Sequence, residues 1–156
     1  MSNPTDRDCQ FMVTPAELMA AHIVDRKQKT LDAVLTAMTL VASADGWIDA
    51  AERQEMLAFL KRNDLLRVSE RDLHDDVQQR LRDLREPGHV LAAAYRLGRS
   101  GGYAARRLAV AAAWDVAVAD SRVDPREMRV LDLIRVTMQA RPARTAAPNC
   151  QADDGT

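Results

Sequence analysis

Apolar residues recur with helical spacing along most of the chain. Leu31, Val34, Leu35 and Met38, for example, fall every three or four positions and define one helix face. Capping residues, glycines or prolines separate this stripe from similar stripes downstream. The pattern predicts an all-α fold without strands and with about seven helices, near 15–24, 29–44, 50–62, 70–85, 89–98, 103–119 and 125–138, with a charged elbow at 25–28 between the first two.

One acidic stretch occurs twice. Residues 44–52 read ADGWIDAAE and residues 119–127 read ADSRVDPRE, so that the copies are offset by 75 positions (120 − 45). An apolar helical run precedes each copy and another follows it. The duplication predicts two helix–loop–helix repeats that pack together as one pseudo-twofold bundle.

The two ends of the chain lack this periodicity. Residues 1–13 and 140–156 are polar and are predicted to be disordered tails that flank a helical domain at 14–139. Cys9 and Cys150 lie in these tails, without metal-binding spacing. No secretory leader and no apolar run of spanning length is found, which predicts a cytoplasmic protein without a membrane span. The net charge of −1 gives no general attraction to nucleic acid.

The repeated stretch carries the strongest candidate chemistry. Each copy holds three carboxylates within eight positions, and carboxylate oxygens are hard ligands that suit Ca²⁺ or a similar divalent cation. Helix capping explains the last two acids of each copy equally well, at roughly 0.5–2 kcal/mol per cap. Capping does not explain the first, which opposes the dipole of the helix that it ends. Cation ligation and capping therefore both remain open for Asp45, Asp49, Glu52, Asp120, Asp124 and Glu127.

A helix that ends in Ala-Asp-Gly, followed by an apolar residue and Asp-x-x-Glu, and then duplicated, resembles the TerB-like tellurite-resistance family. The resemblance covers roughly residues 15 to 138. The same helical module is similar to the N-terminal domain of membrane-anchored DnaJ-like co-chaperones. It implies a non-catalytic stress-response protein with a metal-binding acidic surface and protein partners, among them membrane-associated stress-response proteins. Ser121 departs from the family pattern, because a glycine is expected there. Its turn must accept a costlier left-handed residue or a different cap.

A second interpretation is a metal-independent interaction module. The span 96–107 holds Arg96, Arg99, Arg106 and Arg107, with no acid between Glu86 and Asp115, and could bind an anion or an acidic partner. An exposed apolar patch is the other candidate surface. A metal-dependent hydrolase would need His74 or His89 to converge with the acidic loops. No catalytic nucleophile stands in a recognisable motif, so no enzyme activity is predicted. Trp114 is expected in the core.

Overall fold

The computed structural model describes residues 14–66, 69–99 and 101–139, and within these ranges it consists of six α-helices without strands. The all-α prediction is therefore confirmed. The predicted tails at 1–13 and 140–156 lie outside the described residues. The helices are α1 Pro15–Ala42, α2 Ala50–Arg62, α3 Glu70–Leu84, α4 His89–Arg99, α5 Tyr103–Ala117 and α6 Pro125–Gln139.

The charged elbow at 25–28 is not a break, and the count of seven helices is accordingly not borne out in the described part. α1 runs through it without interruption, from the capping box of Thr14 and Glu17 onward. The elbow has no glycine or proline, and its Arg, Lys and Gln residues favour helix. Lys29 Nζ also lies 2.7 Å from the carboxylate of Asp25, one turn earlier. The loss of apolar residues therefore marks where α1 leaves the core and not where it ends.

α1 divides into an exposed half and a buried half. All residues from Thr14 to Arg26 are exposed, and Leu31 is the first buried one. From there α1 crosses the centre of the molecule and packs most extensively against α5. The buried face of α5 is made largely of alanines, which allow the two helix backbones to approach closely. Ala109, Ala112 and Ala113 have no exposed surface.

The other four helices surround this central pair. α2 packs on α5, α6 packs on both central helices, α4 packs on α1 and α6, and α3 packs on α1 and α4. Two clusters of buried side chains result, and both of them include residues of α1 and α5. Arg80 ties α3 to α1, because its guanidinium donates to Asp32 at 2.8 Å and to the Thr36 hydroxyl at 3.0 Å. This arrangement carries the loops after α1 and α5 to the surface.

Candidate functional site: two acidic loops

The first acidic loop joins α1 to α2. Gly46 adopts a left-handed conformation there (φ +97°), which glycine accepts without steric cost because it has no Cβ. The carboxylate of Asp45 accepts two hydrogen bonds from Trp47, from the backbone N–H at 3.4 Å and from the indole Nε1–H at 3.2 Å. Trp47 itself is exposed. Asp45 therefore orders the loop around it, and this contact offsets its unfavourable position at the end of α1.

α2 begins with a complete capping box. Asp49 Oδ1 accepts the Glu52 backbone N–H at 2.7 Å, and Glu52 Oε2 accepts the Asp49 backbone N–H at 2.9 Å. Ile48 packs against the first core cluster. This packing draws the start of α2 inward and leaves only 4% of Glu52 exposed. Glu52 is thus held in place by its cap and by the core at the same time.

The second acidic loop repeats most of these contacts between α5 and α6. Asp120 Oδ1 accepts the Arg122 backbone N–H at 2.9 Å, and Glu127 Oε2 accepts the Asp124 backbone N–H at 2.8 Å. Asp124 Oδ1 differs from its counterpart, because it accepts the N–H of Arg126 at 2.7 Å. Ser121 has a φ of +65°, so that this non-glycine residue does adopt the costlier left-handed conformation.

Glu127 is the counterpart of Glu52 and is also buried, with 7% of its surface exposed. The pKa of Glu52 is raised to about 7, mainly by burial and further by repulsion from Asp49, Asp45 and Glu127. The hydrogen bond from the backbone N–H of Asp49 acts in the opposite direction. Burial likewise raises the pKa of Glu127, and repulsion from Asp120, Asp45 and Asp124 adds to the increase. The hydrogen bond from the backbone N–H of Asp124 acts in the opposite direction. Because Asp45 acts on both glutamates and Glu127 acts on Glu52, the two loops lie at the same end of the bundle.

The six carboxylates do not form a finished metal site. Among the residues described, no three His, Cys, Asp or Glu side chains are grouped so that they could hold a metal ion. Capping occupies one oxygen each of Asp49, Glu52, Asp124 and Glu127, and the second oxygens take no part in it. The carboxylates therefore lie close enough to repel one another, but they do not form a closed coordination shell.

Asp45 and Asp120, the acids that capping does not explain, are both exposed. The two glutamates are the electrostatically unusual members, and the sequence did not reveal this, because a capping-box glutamate is usually exposed. The only available signal was the apolar Ile48 and Val123, each four residues before a glutamate, which pack against the core. The prediction that Trp114 lies in the core is also wrong, since 48% of its surface is exposed on α5.

The arginine-rich span lies at the other end of α5. Arg99 stacks over the ring of Tyr95 at 5.8 Å, and Arg107 stacks over Tyr103 at 5.7 Å. Both tyrosines are exposed. The backbone N–H groups at the start of α5 receive no side-chain cap from Gly102. This end of the molecule therefore presents positive charge and aromatic surface.

Two of the three histidines, His74 and His89, have contacts that the structure describes. His89 Nδ1 lies 2.7 Å from the backbone carbonyl of Asp83, and His74 lines a small cavity beside Arg53 and Leu73. Neither histidine takes part in a potential ligand group within the described ranges. None of the described helices is long and apolar enough to cross a membrane.

The family assignment comes from a comparison with protein-family models. Residues 31–147 match the model of tellurite resistance protein TerB. No match was found among curated proteins or among solved structures. The matched stretch starts at Leu31, the residue at which burial of α1 begins, and includes both acidic loops. Since it spans most of the sequence, the chain belongs to the TerB tellurite resistance family.

Proposed function

We propose that this protein is a non-catalytic, cytoplasmic member of the tellurite and chemical-stress response, and that its two acidic loops together bind a divalent cation such as Ca²⁺. The family assignment supports the first part. The second part rests on one observation. Two buried glutamates from separate repeats, Glu52 and Glu127, lie within repulsive range of each other, and burial together with repulsion from neighbouring carboxylates raises the pKa of both.

A divalent cation would relieve this repulsion. The oxygens that capping leaves over on Glu52 and Glu127, with those of Asp45 and Asp120, are the hard donors that Ca²⁺ prefers. Because no three of these groups converge in the described arrangement, the two loops must draw closer for a cation to bind. The cross-packing of α2 on α5 and of α6 on α1 favours a pseudo-twofold relation of the repeats, in which such a movement would be shared equally.

Calorimetric titration of metal-free protein with Ca²⁺, and then with Mg²⁺ and Zn²⁺, tests this proposal. The variant Glu52→Gln/Glu127→Gln removes both buried charges, and Gln keeps the reach and the acceptor of a capping box. We expect saturable Ca²⁺ binding by the wild type and an affinity at least about tenfold lower in the variant, since each lost carboxylate removes charge from the site. Lower pH should also weaken binding below about pH 7, because protons compete for Glu52.

Glu17→Gln is the matched control. Glu17 forms the same kind of capping box with Thr14 at the start of α1, but it is exposed and carries no repulsive partner among its pKa shifts. Its replacement should leave the Ca²⁺ titration unchanged. A wild-type protein that gives no saturable heat with any of the three cations would refute the cation site. Equal loss of binding in both variants would show an effect of capping and not of the buried charges.

A metal-independent interaction module is the second candidate, and the stacked arginines of the 96–107 span favour it. In this case an acidic surface of a protein partner, such as a membrane-associated stress-response protein, would bind at Arg99 and Arg107. Nucleic acid is not the expected ligand. Affinity capture with the Arg99→Ala/Arg107→Ala variant separates the candidates, because that variant should then lose the partner while Asp45→Asn/Asp120→Asn should retain it.

A further inference from the structure

A cavity of about 450 Å³ lies between α1, the segment that follows α2 and the start of α5. Its volume falls within the range of about 300–1,000 Å³ that is usual for small-molecule pockets. The acidic loops follow the ends of α1 and α5, and none of their six carboxylates is among the described residues that line this cavity. The cavity is therefore a separate feature of the molecule.

The floor of the cavity is apolar and reaches the core. Leu65 and Ala105 line it and are buried, at 5% and 8% exposure. Leu65 belongs to the first core cluster, and Leu108, which also lines the cavity, packs against that cluster. Ile23 of α1 contributes a further apolar wall but is 53% exposed. An apolar chain bound here would contact the edge of the core and would also cover Ile23.

The charged side chains of the cavity are all basic. Arg26 and Lys27 follow Ile23 by three and four positions, so that the three residues share one face of α1. Lys29 lines the cavity as well. No Asp or Glu is among the lining residues in the part of the chain that the structure describes. An apolar floor beside a basic wall is complementary to a molecule with an apolar body and a negative end.

One positive charge of this wall is not balanced. Lys27 Nζ lies 2.7 Å from the carboxylate of Asp64, and Lys29 Nζ lies 2.7 Å from that of Asp25. The guanidinium of Arg26 forms no ion pair or hydrogen bond with any other described residue. Because an arginine fork can donate two parallel hydrogen bonds to a carboxylate, Arg26 suits a ligand with a single negative charge of this kind.

The start of α5 adds hydrogen-bond donors on the opposite side. Ala104 lies in the first turn of α5 and lines the cavity, and Gly102 before it supplies no side-chain cap. Backbone N–H groups of a first turn have no acceptor within their own helix, and the helix dipole is positive there. The start of α5 therefore reinforces the preference for negative charge that the basic wall of α1 sets.

We propose that this cavity binds a small amphiphilic carboxylate with a single apolar chain, such as a medium-chain fatty acid. The chain lies over Leu65, Ala105 and Leu108, and the carboxylate lies at Arg26. This ligand is independent of the cation proposed above, because the two sites share no residue. Glu52→Gln/Glu127→Gln should accordingly bind it as the wild type does.

Calorimetric titration of the metal-free full chain with sodium decanoate, below its micelle concentration, tests the proposal. We expect saturable binding of one molecule per chain. From hexanoate through octanoate to decanoate the affinity should rise about fourfold for each added methylene, because the burial of one methylene contributes ~0.8 kcal/mol. Decanol and decyltrimethylammonium carry the same chain without a negative charge and should bind at least about tenfold more weakly.

Arg26→Gln tests the role of the charge. It should weaken decanoate binding by about three- to tenfold and should leave decanol binding nearly unchanged, since only the carboxylate loses a partner. Arg129→Gln is the matched control. Arg129 is exposed on α6, has no ion pair with another described residue and does not line the cavity, so its replacement should not change the titration.

Ala104→Phe tests the position of the site. Ala104 is exposed, so that a larger side chain should enter the cavity without disturbing the core, and decanoate affinity should fall at least about tenfold. Ala111→Phe makes the same change at another exposed position of α5, outside this cavity, and should bind decanoate normally. Thermal unfolding of both variants checks that each retains its fold.

Four results would overturn the proposal. The wild type could give no saturable heat with any of the carboxylates. Decanol or decyltrimethylammonium could bind as tightly as decanoate, which would show an unselective apolar surface. Ala104→Phe could bind decanoate normally, which would place the site elsewhere. Sedimentation with anionic phospholipid vesicles, without binding of free decanoate, would assign the basic wall to a membrane surface.

Discussion

Glu52 is the residue whose environment most changes its chemistry. With its pKa raised to about 7, the folded protein binds a proton there more tightly than the unfolded chain, whose value is near 4.5. The neutral form therefore stabilises the fold. This contribution is fully present below pH 4.5 and is lost as the pH rises through about 7.

Glu52→Gln should consequently raise stability at alkaline pH. We expect the free energy of unfolding at pH 8 to increase by on the order of 1–3 kcal/mol, because one pKa unit corresponds to about 1.4 kcal/mol and repulsion is removed as well. The increase should shrink towards pH 4, where the wild-type carboxyl is already neutral. Urea unfolding across this range measures both effects.

Glu17→Gln should behave in the opposite way. Hydrogen bonds from the backbone and the side chain of Thr14 lower the pKa of Glu17, so that its ionised form stabilises the start of α1. Its replacement should give no gain at pH 8. A similar gain in both variants would show that general removal of negative charge, and not the burial of Glu52, is responsible.

At the scale of helices, the close contact between α4 and α6 requires a glycine at position 98. A Cβ on Gly98 would lie 2.3 Å from the backbone oxygen of Thr137 and 2.8 Å from its carbonyl carbon. Backbone atoms cannot turn aside as a flexible side chain can. The two helices must therefore separate if any larger residue replaces Gly98.

Gly98→Ala should destabilise the protein by about 1–3 kcal/mol, as overpacked cores do, although alanine is the better helix former. Gly102→Ala is the control, since a Cβ at that position meets no atom within 4 Å and its φ of −83° suits any residue. Thermal unfolding of the two variants gives the comparison. A Gly98→Ala protein as stable as the wild type would contradict this close approach of α4 to the backbone of α6.

For the whole molecule, the decisive feature is that two core clusters share two helices. Leu60 belongs to the cluster around α2 and α3, Ile134 belongs to the cluster around α4 and α6, and both clusters rest on α1 and α5. Loss of either cluster exposes the central pair. The two halves should therefore unfold together.

Leu60→Ala and Ile134→Ala should each lower the free energy of unfolding by about 2–5 kcal/mol, in a single transition. Circular dichroism and tryptophan fluorescence should give coincident curves for both variants. Two separated transitions in either variant would contradict a shared core and would show two independently stable halves.

Local chemistry made much of this structure predictable. Short-range hydrogen bonds and residue spacing, which can be recognised in the sequence, determine the starts of α1, α2, α3 and α6, the left-handed Gly46 and the helical stripes. For Ser121 the sequence left two alternatives open, and the structure shows the left-handed one. The duplicated acidic stretch also predicted the TerB-like family, and the match of residues 31–147 confirms it. The predicted elbow in α1 is wrong, because the loss of apolar residues at 25–28 marks the end of burial and not the end of the helix.

Other features depend on which segments meet after folding. The all-α class, most helix boundaries, the repeat and the six candidate carboxylates can be predicted from the amino-acid order, because each follows from neighbours within a few residues. The shared position of both acidic loops at one end of the bundle, the burial of Glu52 and Glu127 there, and the exposure of Trp114 on a groove follow from the packing of distant segments. Burial and electrostatic repulsion arise between residues far apart in the chain, and no local pattern records those distances.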